Sequence, residues 1–278
     1  MSAEHKPAWG ASYRLIAAEK WKAKSAAMGR DVTDALVAYA RPRLGMKVLD
    51  VATGTGEPAI SLAARVGPSG HVTALDLSAE LLEVADERAR QRGLTNFTTR
   101  QADVHKLPLQ DRSFDLATCR FGVMFFADHD LALSEIRRVL KPNGRACFLA
   151  WGPFEQPYWQ STMAIVHKRV GGPLLAPGAP NMFRFARQGT LSAAMRCAGF
   201  CEVSEETRTL PWNWPGTPDE LWEYAQSVSV PFRPLLERVP RDQWDEVNRE
   251  VQAAVSKYVE GDAVKFGVVV VLASGSKM

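Results

Sequence analysis

The stretch VLDVATGTGEPA, Val48 to Ala59, constrains the fold more than any other part of this chain. An apolar run ends in Asp50, Gly54 and Gly56 follow in a short turn, and Pro58 suits the first turn of a helix. Strand, glycine-rich turn and helix together form a unit with which α/β proteins hold nucleotide-like ligands. Which ligand this turn serves has to be read from the rest of the chain.

The same alternation continues. Strand-like runs stand at 46–51 (MKVLDV), 71–77 (HVTALDL), 96–103 (NFTTRQAD), 113–123 (SFDLATCRFGV) and 145–151 (RACFLAW). Between them, Pro58 leads a helix through Val66. Ser78 can cap a helix carrying Leu81, Leu82, Ala85 and Ala89 on one face, and Asp128 opens a helix ending in Arg137 and Arg138. Such alternation predicts an α/β fold whose mostly parallel sheet is covered by helices on both faces. Residues 11–44 read as helical, with Val32, Leu36, Tyr39 and Arg43 at helical spacing. Beyond 152 the pattern loosens. The charged, alternating FCEVSEETRTL (200–210) reads as an edge strand. TPDE at 217–220 is a capping box, Trp244 to Tyr258 a helix, and FGVVVVLA (266–273) a buried strand returning to the sheet.

A length of 278 residues suits one large α/β domain with elaborations or two modest ones. A net charge of +3, without a long basic run, gives no argument for nucleic acid, and no nucleic-acid partner is expected. No run approaches the ~18 apolar residues of a membrane span, and the start MSAEHKPAWG has no signal core. Cys119, Cys147, Cys197 and Cys201 show no C-x-x-C spacing and read as reduced thiols, so a cytoplasmic protein is expected. His5, His71 and His167 lack metal-like spacing, and no metal is expected. The sequence carries no sign of its oligomeric state.

A Walker phosphate loop needs Lys and then Ser or Thr after its last glycine, whereas Gly56 is followed by Glu57 and Pro58. A dinucleotide turn wants G-x-G-x-x-G; Gly54, Gly56 and Ala59 match it only in part. A pyrophosphate would also sit uneasily beside Asp50 and Glu57 if both carboxylates point inward, while an amine or sulfonium would not. Asp76 and Asp103 fall at further strand ends, where such sheets bind ligands.

Taken in order, LDVATGTG, VTALDLS, QADVHKLPLQDRSFD, RFGV, EIRRVLKPNGR and AGF closely resemble the class I S-adenosylmethionine-dependent methyltransferases, in the branch similar to ubiquinone/menaquinone C-methyltransferases. The matches cover roughly 46–151 and 187–201. Ala52 stands where the commoner motif has Gly, as is also seen in the quinone-methylating branch. The resemblance implies a Rossmann-like seven-stranded sheet with an antiparallel last strand, and S-adenosylmethionine as cofactor. It implies that Asp50, Ala52, Gly54, Thr55 and Gly56 line the methionine portion, and that Asp76, followed by Leu77, accepts the ribose hydroxyls. Asp103 would accept from the adenine amino group, beside the Val104 N–H. Arg120 replaces a Ser common in the branch and is directed either at the cofactor carboxylate or at the substrate. Catalytic residues stay unassigned, with His105, His129 and Arg120 as candidates.

The expected organisation is a single methyltransferase domain. Helices occupy 1–44, a cofactor-binding core 45–152, substrate-cap insertions 153–186 and 211–263, and core completion 187–210 and 264–275. The caps are rich in aromatic residues, which form either a substrate chamber or a second small core; Trp9, Tyr13 and Trp21 are open in the same way. The expected activity is methyl transfer to a small apolar or aromatic molecule. A nicotinamide-dependent oxidoreductase and a non-catalytic cofactor-binding regulatory scaffold are the alternatives.

Overall fold

The computed structural model describes residues 20–179 and 181–278. The helical reading of 11–19 and the residues His5, Trp9 and Tyr13 lie outside them.

The chain builds one sheet in the order β3-β2-β1-β4-β5-β8-β6, with the two-residue β7 paired to β8. The first five strands are β1 (Lys47–Val51), β2 (His71–Asp76), β3 (Phe97–Gln101), β4 (Phe114–Arg120) and β5 (Leu140–Trp151). They are mutually parallel. After them come β6 (Cys201–Trp214), β7 (Val259–Glu260) and β8 (Ala263–Ser276), β8 lying antiparallel between β5 and β6. Strand order runs outward from β1 in both directions. Right-handed crossovers therefore put the β1–β2 and β2–β3 helices on one face and the β4–β5 helix on the other.

Local chemistry fixes the helix ends. Of the N-terminal helices, α1 spans Lys22–Met28 and α2 Arg30–Ala40; Gly29 divides what reads as one helical segment in sequence. Then α3 spans Ala59–Val66 and α4 Ala79–Gln91, where the Ser78 hydroxyl accepts from the Leu81 N–H. Asp128 caps α5 (His129–Val139) in the same way through Leu131. The segment after β5 divides into α6 (Pro157–Gln160) and α7 (Met163–Val170), followed by α8 (Thr190–Cys197). The Thr217–Glu220 capping box starts α9 (Pro218–Val228), and α10 (Arg233–Leu236) and α11 (Trp244–Ser256) complete the helices.

β6 is the sheet edge, as its alternating charge predicts. It runs on through Trp214, so 211–214, expected to open the second cap, pair with β8 instead. Pro211 lies in this strand because an edge strand tolerates a residue without an N–H.

Ala52, at the end of β1, has a φ of +55°. This is the left-handed region, which explains the usual Gly of the motif and costs a non-Gly residue roughly 1–2 kcal/mol. Its methyl is housed by Gly122: a Cβ built there would lie 2.5 Å from the Ala52 Cβ and 2.7 Å from the Cys119 sulfur. Gly122→Ala is thus expected to destabilise the protein by about 1–3 kcal/mol. Adding Ala52→Gly should recover part of the loss. A thermal melt of the single and double variants checks this, and an unshifted single variant rules the contact out.

Candidate active site

Asp50 of β1 sits in register with Thr118 of β4, where strand order reverses. The Asp50 side chain is fully buried, and the Thr118 hydroxyl donates to its Oδ1 at 2.6 Å. Its Oδ2 has no hydrogen-bond partner among the described residues. Burial pushes this carboxyl up to about 7 and the Glu57 charge adds to the rise, against the Thr118 and Thr53 hydroxyls and the Arg120 guanidinium, which draw it down. A buried acceptor left open at a switch point suits a donor, preferably a cationic one.

The glycine turn is braced from three sides. The Thr53 N–H bonds to the Leu75 carbonyl at 2.9 Å, and the Gly56 carbonyl accepts from the Ile60 N–H of α3 at 2.8 Å. Gly56 has a φ of +105°, and a Cβ on it would strike Ile60 Cδ1 at 2.7 Å, so only glycine fits. Arg88 of α4 reaches back to Thr55, holding its carbonyl at 3.0 Å and its hydroxyl at 2.7 Å. Among the described residues, a Cβ on Gly54 would meet nothing within 4 Å, so none of them closes the turn on that side. The Glu57 carboxylate is engaged by the Ser61 hydroxyl at 2.7 Å and by Arg92 at 2.9 Å. Asp50 therefore carries the uncommitted oxygen of the pair.

Asp76 ends β2. Its Oδ2 accepts from the Gly54 N–H at 2.8 Å and its Oδ1 from the Ser78 N–H at 3.1 Å. Each oxygen keeps acceptor capacity for a ligand hydroxyl. Leu77 beside it is 59% exposed, an apolar surface next to a polar floor. Asp103 lies beyond β3 and caps a short 3-10 turn that buries Val104. Its Oδ1 accepts from the His105 N–H at 2.9 Å and from His105 Nδ1 at 2.6 Å, and among the described residues Oδ2 has no hydrogen-bond partner. Burial raises the Asp103 carboxyl, but the His105 contacts outweigh it and hold it below the ordinary range.

The candidate bases separate. His105 Nε2 accepts from the Asp128 N–H at 3.2 Å, so both ring nitrogens are committed to joining the 103–105 turn to α5. His129 packs edge-on to Phe185 at 5.9 Å and lies 3.4 Å from Asp130 through Nε2. Arg120 is held by Nη1 alone, donating to Thr33 Oγ1 at 2.5 Å and the Gly29 carbonyl at 3.5 Å.

Aromatic side chains gather at the same edge. Phe121, with a φ of +59°, stacks on Trp151 at 4.3 Å. Trp212 and Trp159 each meet Trp151 edge-on at 5.3 Å. The indole N–H groups of Trp159 and Trp212 are buried without an acceptor among the described residues. Phe121 and Trp151 escape a search for aromatic caps because one directly follows β4 and the other ends β5; the signal is their place at the carboxyl ends of two adjacent parallel strands. Trp222 is a core residue, its N–H bonded to Asn248 Oδ1 at 2.9 Å.

Residues 42–152 match a family model described as a methyltransferase domain. The chain is 35% identical over 194 residues to the ubiquinone/menaquinone biosynthesis C-methyltransferase UbiE of Allorhizobium ampelinum, covering 65% of this chain and 75% of that protein. The structure of the YcgJ protein of Bacillus subtilis superposes with a TM-score of 0.57 at 21% identity, covering 88% of this chain and 97% of that one. A SAM-dependent methyltransferase from Aquifex aeolicus gives a TM-score of 0.52 at 23% identity, covering 69% and 90%.

Proposed function

Since the chain belongs to the class I S-adenosylmethionine-dependent methyltransferases, we propose that it methylates a small planar ring compound bearing oxygen, of the quinol or phenol class. When bound, S-adenosylmethionine supplies a methyl group already activated by its positively charged sulfur. The protein then has mainly to align donor and acceptor, a contribution on the order of 7–11 kcal/mol.

The residues present fit that cofactor. The open Asp50 Oδ2 suits an ammonium, the remaining lone pairs of Asp76 suit a diol, and the free Asp103 oxygen suits an exocyclic amine. We assign Ala52, Gly54, Thr55 and Gly56 to the backbone cradle, Thr55 through its N–H because Arg88 holds its carbonyl and its hydroxyl. Leu77 and Val104 fall to the adenine ring.

The observation that carries the acceptor class is the Phe121–Trp151 stack flanked by two unpartnered indole donors. A buried N–H without an acceptor costs about 1–3 kcal/mol, which ring oxygens would relieve. The apolar walls favour a ring over a charged or peptide substrate. The UbiE relative, named for ubiquinone and menaquinone biosynthesis, points the same way. In this reading 153–186 and 215–263 roof the carboxyl edge as the substrate cap. His105 braces the scaffold, and His129 is the imidazole left to take a proton from an acceptor that arrives protonated.

Purified protein with labelled S-adenosylmethionine is expected to methylate a short-chain quinol in preference to amines and thiols. Trp151→Ala should raise KM for that quinol about tenfold or more while leaving S-adenosylhomocysteine affinity within about threefold. Preferential labelling of amines or thiols, or an unchanged KM, overturns the acceptor assignment. Nicotinamide dinucleotide binding without a response to S-adenosylhomocysteine would overturn the cofactor as well.

A further inference from the structure

Arg120 is the site's cation on which the Glu57 and Asp50 carboxylates act only from beyond ion-pair distance. It is half-buried at the end of β4, and it forms no ion pair within 4.0 Å among the described residues. Its Nη1 is committed to Thr33 and Gly29, at the junction of α1 and α2, and among the described residues Nε and Nη2 have no hydrogen-bond partner. Nη1 packs closely over Gly29, where a Cβ would stand 3.4 Å from it. Thr33 is oriented for the contact: its hydroxyl donates to the Gly29 carbonyl at 3.0 Å and so presents a lone pair to Arg120.

Two residues earlier on the same strand, Thr118 bonds to Asp50, and the charges of Asp50 and Arg120 act on one another. The edge at the switch point thus offers one open acceptor of negative character and one open pair of donors of positive character. A zwitterion answers both. A neutral quinol can hydrogen-bond to either but brings no charge to match them, and a bare cation would leave Arg120 repelled.

We propose that Arg120 reads the carboxylate of the cofactor's amino-acid end opposite Asp50, and so ties the α1–α2 junction to the bound cofactor. This rests on the cofactor-site reading above. The fork of the guanidinium matters, since two parallel N–H donors match a carboxylate and an ammonium does not.

The test is calorimetry with two ligands. S-adenosylhomocysteine carries the amino-acid end; 5′-methylthioadenosine keeps the nucleoside and thioether and lacks it. Arg120→Met is expected to weaken S-adenosylhomocysteine about 10- to 100-fold and methylthioadenosine by less than about threefold. Arg120→Lys should fall between Met and wild type, and it serves as the variant if Met does not fold. Equal losses for both ligands would mean a collapsed site and overturn the proposal. So would an Arg120→Met protein that keeps its S-adenosylhomocysteine affinity and shows instead a raised KM for the acceptor. If the wild type binds neither ligand, the cofactor site itself is misplaced and this assignment falls with it.

Discussion

Asp50→Asn is expected to make the ligand-free protein more stable at pH 8 and to weaken S-adenosylhomocysteine by at least tenfold. The Asp50 carboxyl is raised by burial from an ordinary 3.8 to about 7. Between those values the folded protein holds a proton that the unfolded chain has lost, so stability falls as pH rises through this window. The contribution is intact below about 4 and gone above about 7. At pH 8 the ionised, buried group costs on the order of 4 kcal/mol. Asn keeps the acceptor for Thr118 but buries an amide N–H without a partner, which returns about 1–3 kcal/mol of that gain. A net stabilisation of about 1–3 kcal/mol should remain, with the slope between pH 4 and 7 flattened. The same ionisation governs the ligand: an ammonium prefers the carboxylate, so wild-type affinity should rise from pH 6 to pH 8 and the Asn variant should lose that rise. Chemical denaturation across pH and calorimetry at both values decide the matter. Parallel stability slopes in the two proteins would show that Asp50 does not titrate there.

What could be read ahead of the structure was what short spacing controls. The caps at Ser78, Asp128 and Thr217 join residues three apart, and each forms as its sequence predicts. The charged alternation of 200–210 identifies an edge because exposed strands must discourage further pairing. Where elements end was harder. The pairing of β6 with β8 carries the strand past Pro211 to Trp214, and only the partner strand reveals that.

The electrostatics of the site lay beyond reach for the same reason. Asp50 and Thr118 are 68 positions apart and meet only through the β1–β4 register. Arg120 finds Thr33 at 87 positions' distance, so a departure from the family pattern was visible but not its anchor. Glu57, adjacent to the glycine turn, looks from sequence like a second inward carboxylate. Ser61 and Arg92 engage it instead, a pairing set by the path of α3 and α4.

Asp76→Ala is expected to damage both the turn and the ligand site, by more than a ribose contact alone would explain. The carboxylate is 8% exposed and accepts the Gly54 and Ser78 N–H groups, one on each oxygen. Removing it strands two backbone donors, at about 1–3 kcal/mol each where water cannot replace them. The melting temperature should therefore fall. S-adenosylhomocysteine affinity should fall more than 100-fold, because two charge-assisted bonds to the diol are lost along with the geometry of the turn. The two effects separate by ligand. Wild type should prefer adenosine to 2′,3′-dideoxyadenosine, and Asp76→Asn, which retains one acceptor oxygen, should shrink that preference while keeping more of the fold. If Asp76→Asn discriminates between the two nucleosides as well as wild type does, Asp76 only braces the glycine turn, and the diol is bound elsewhere.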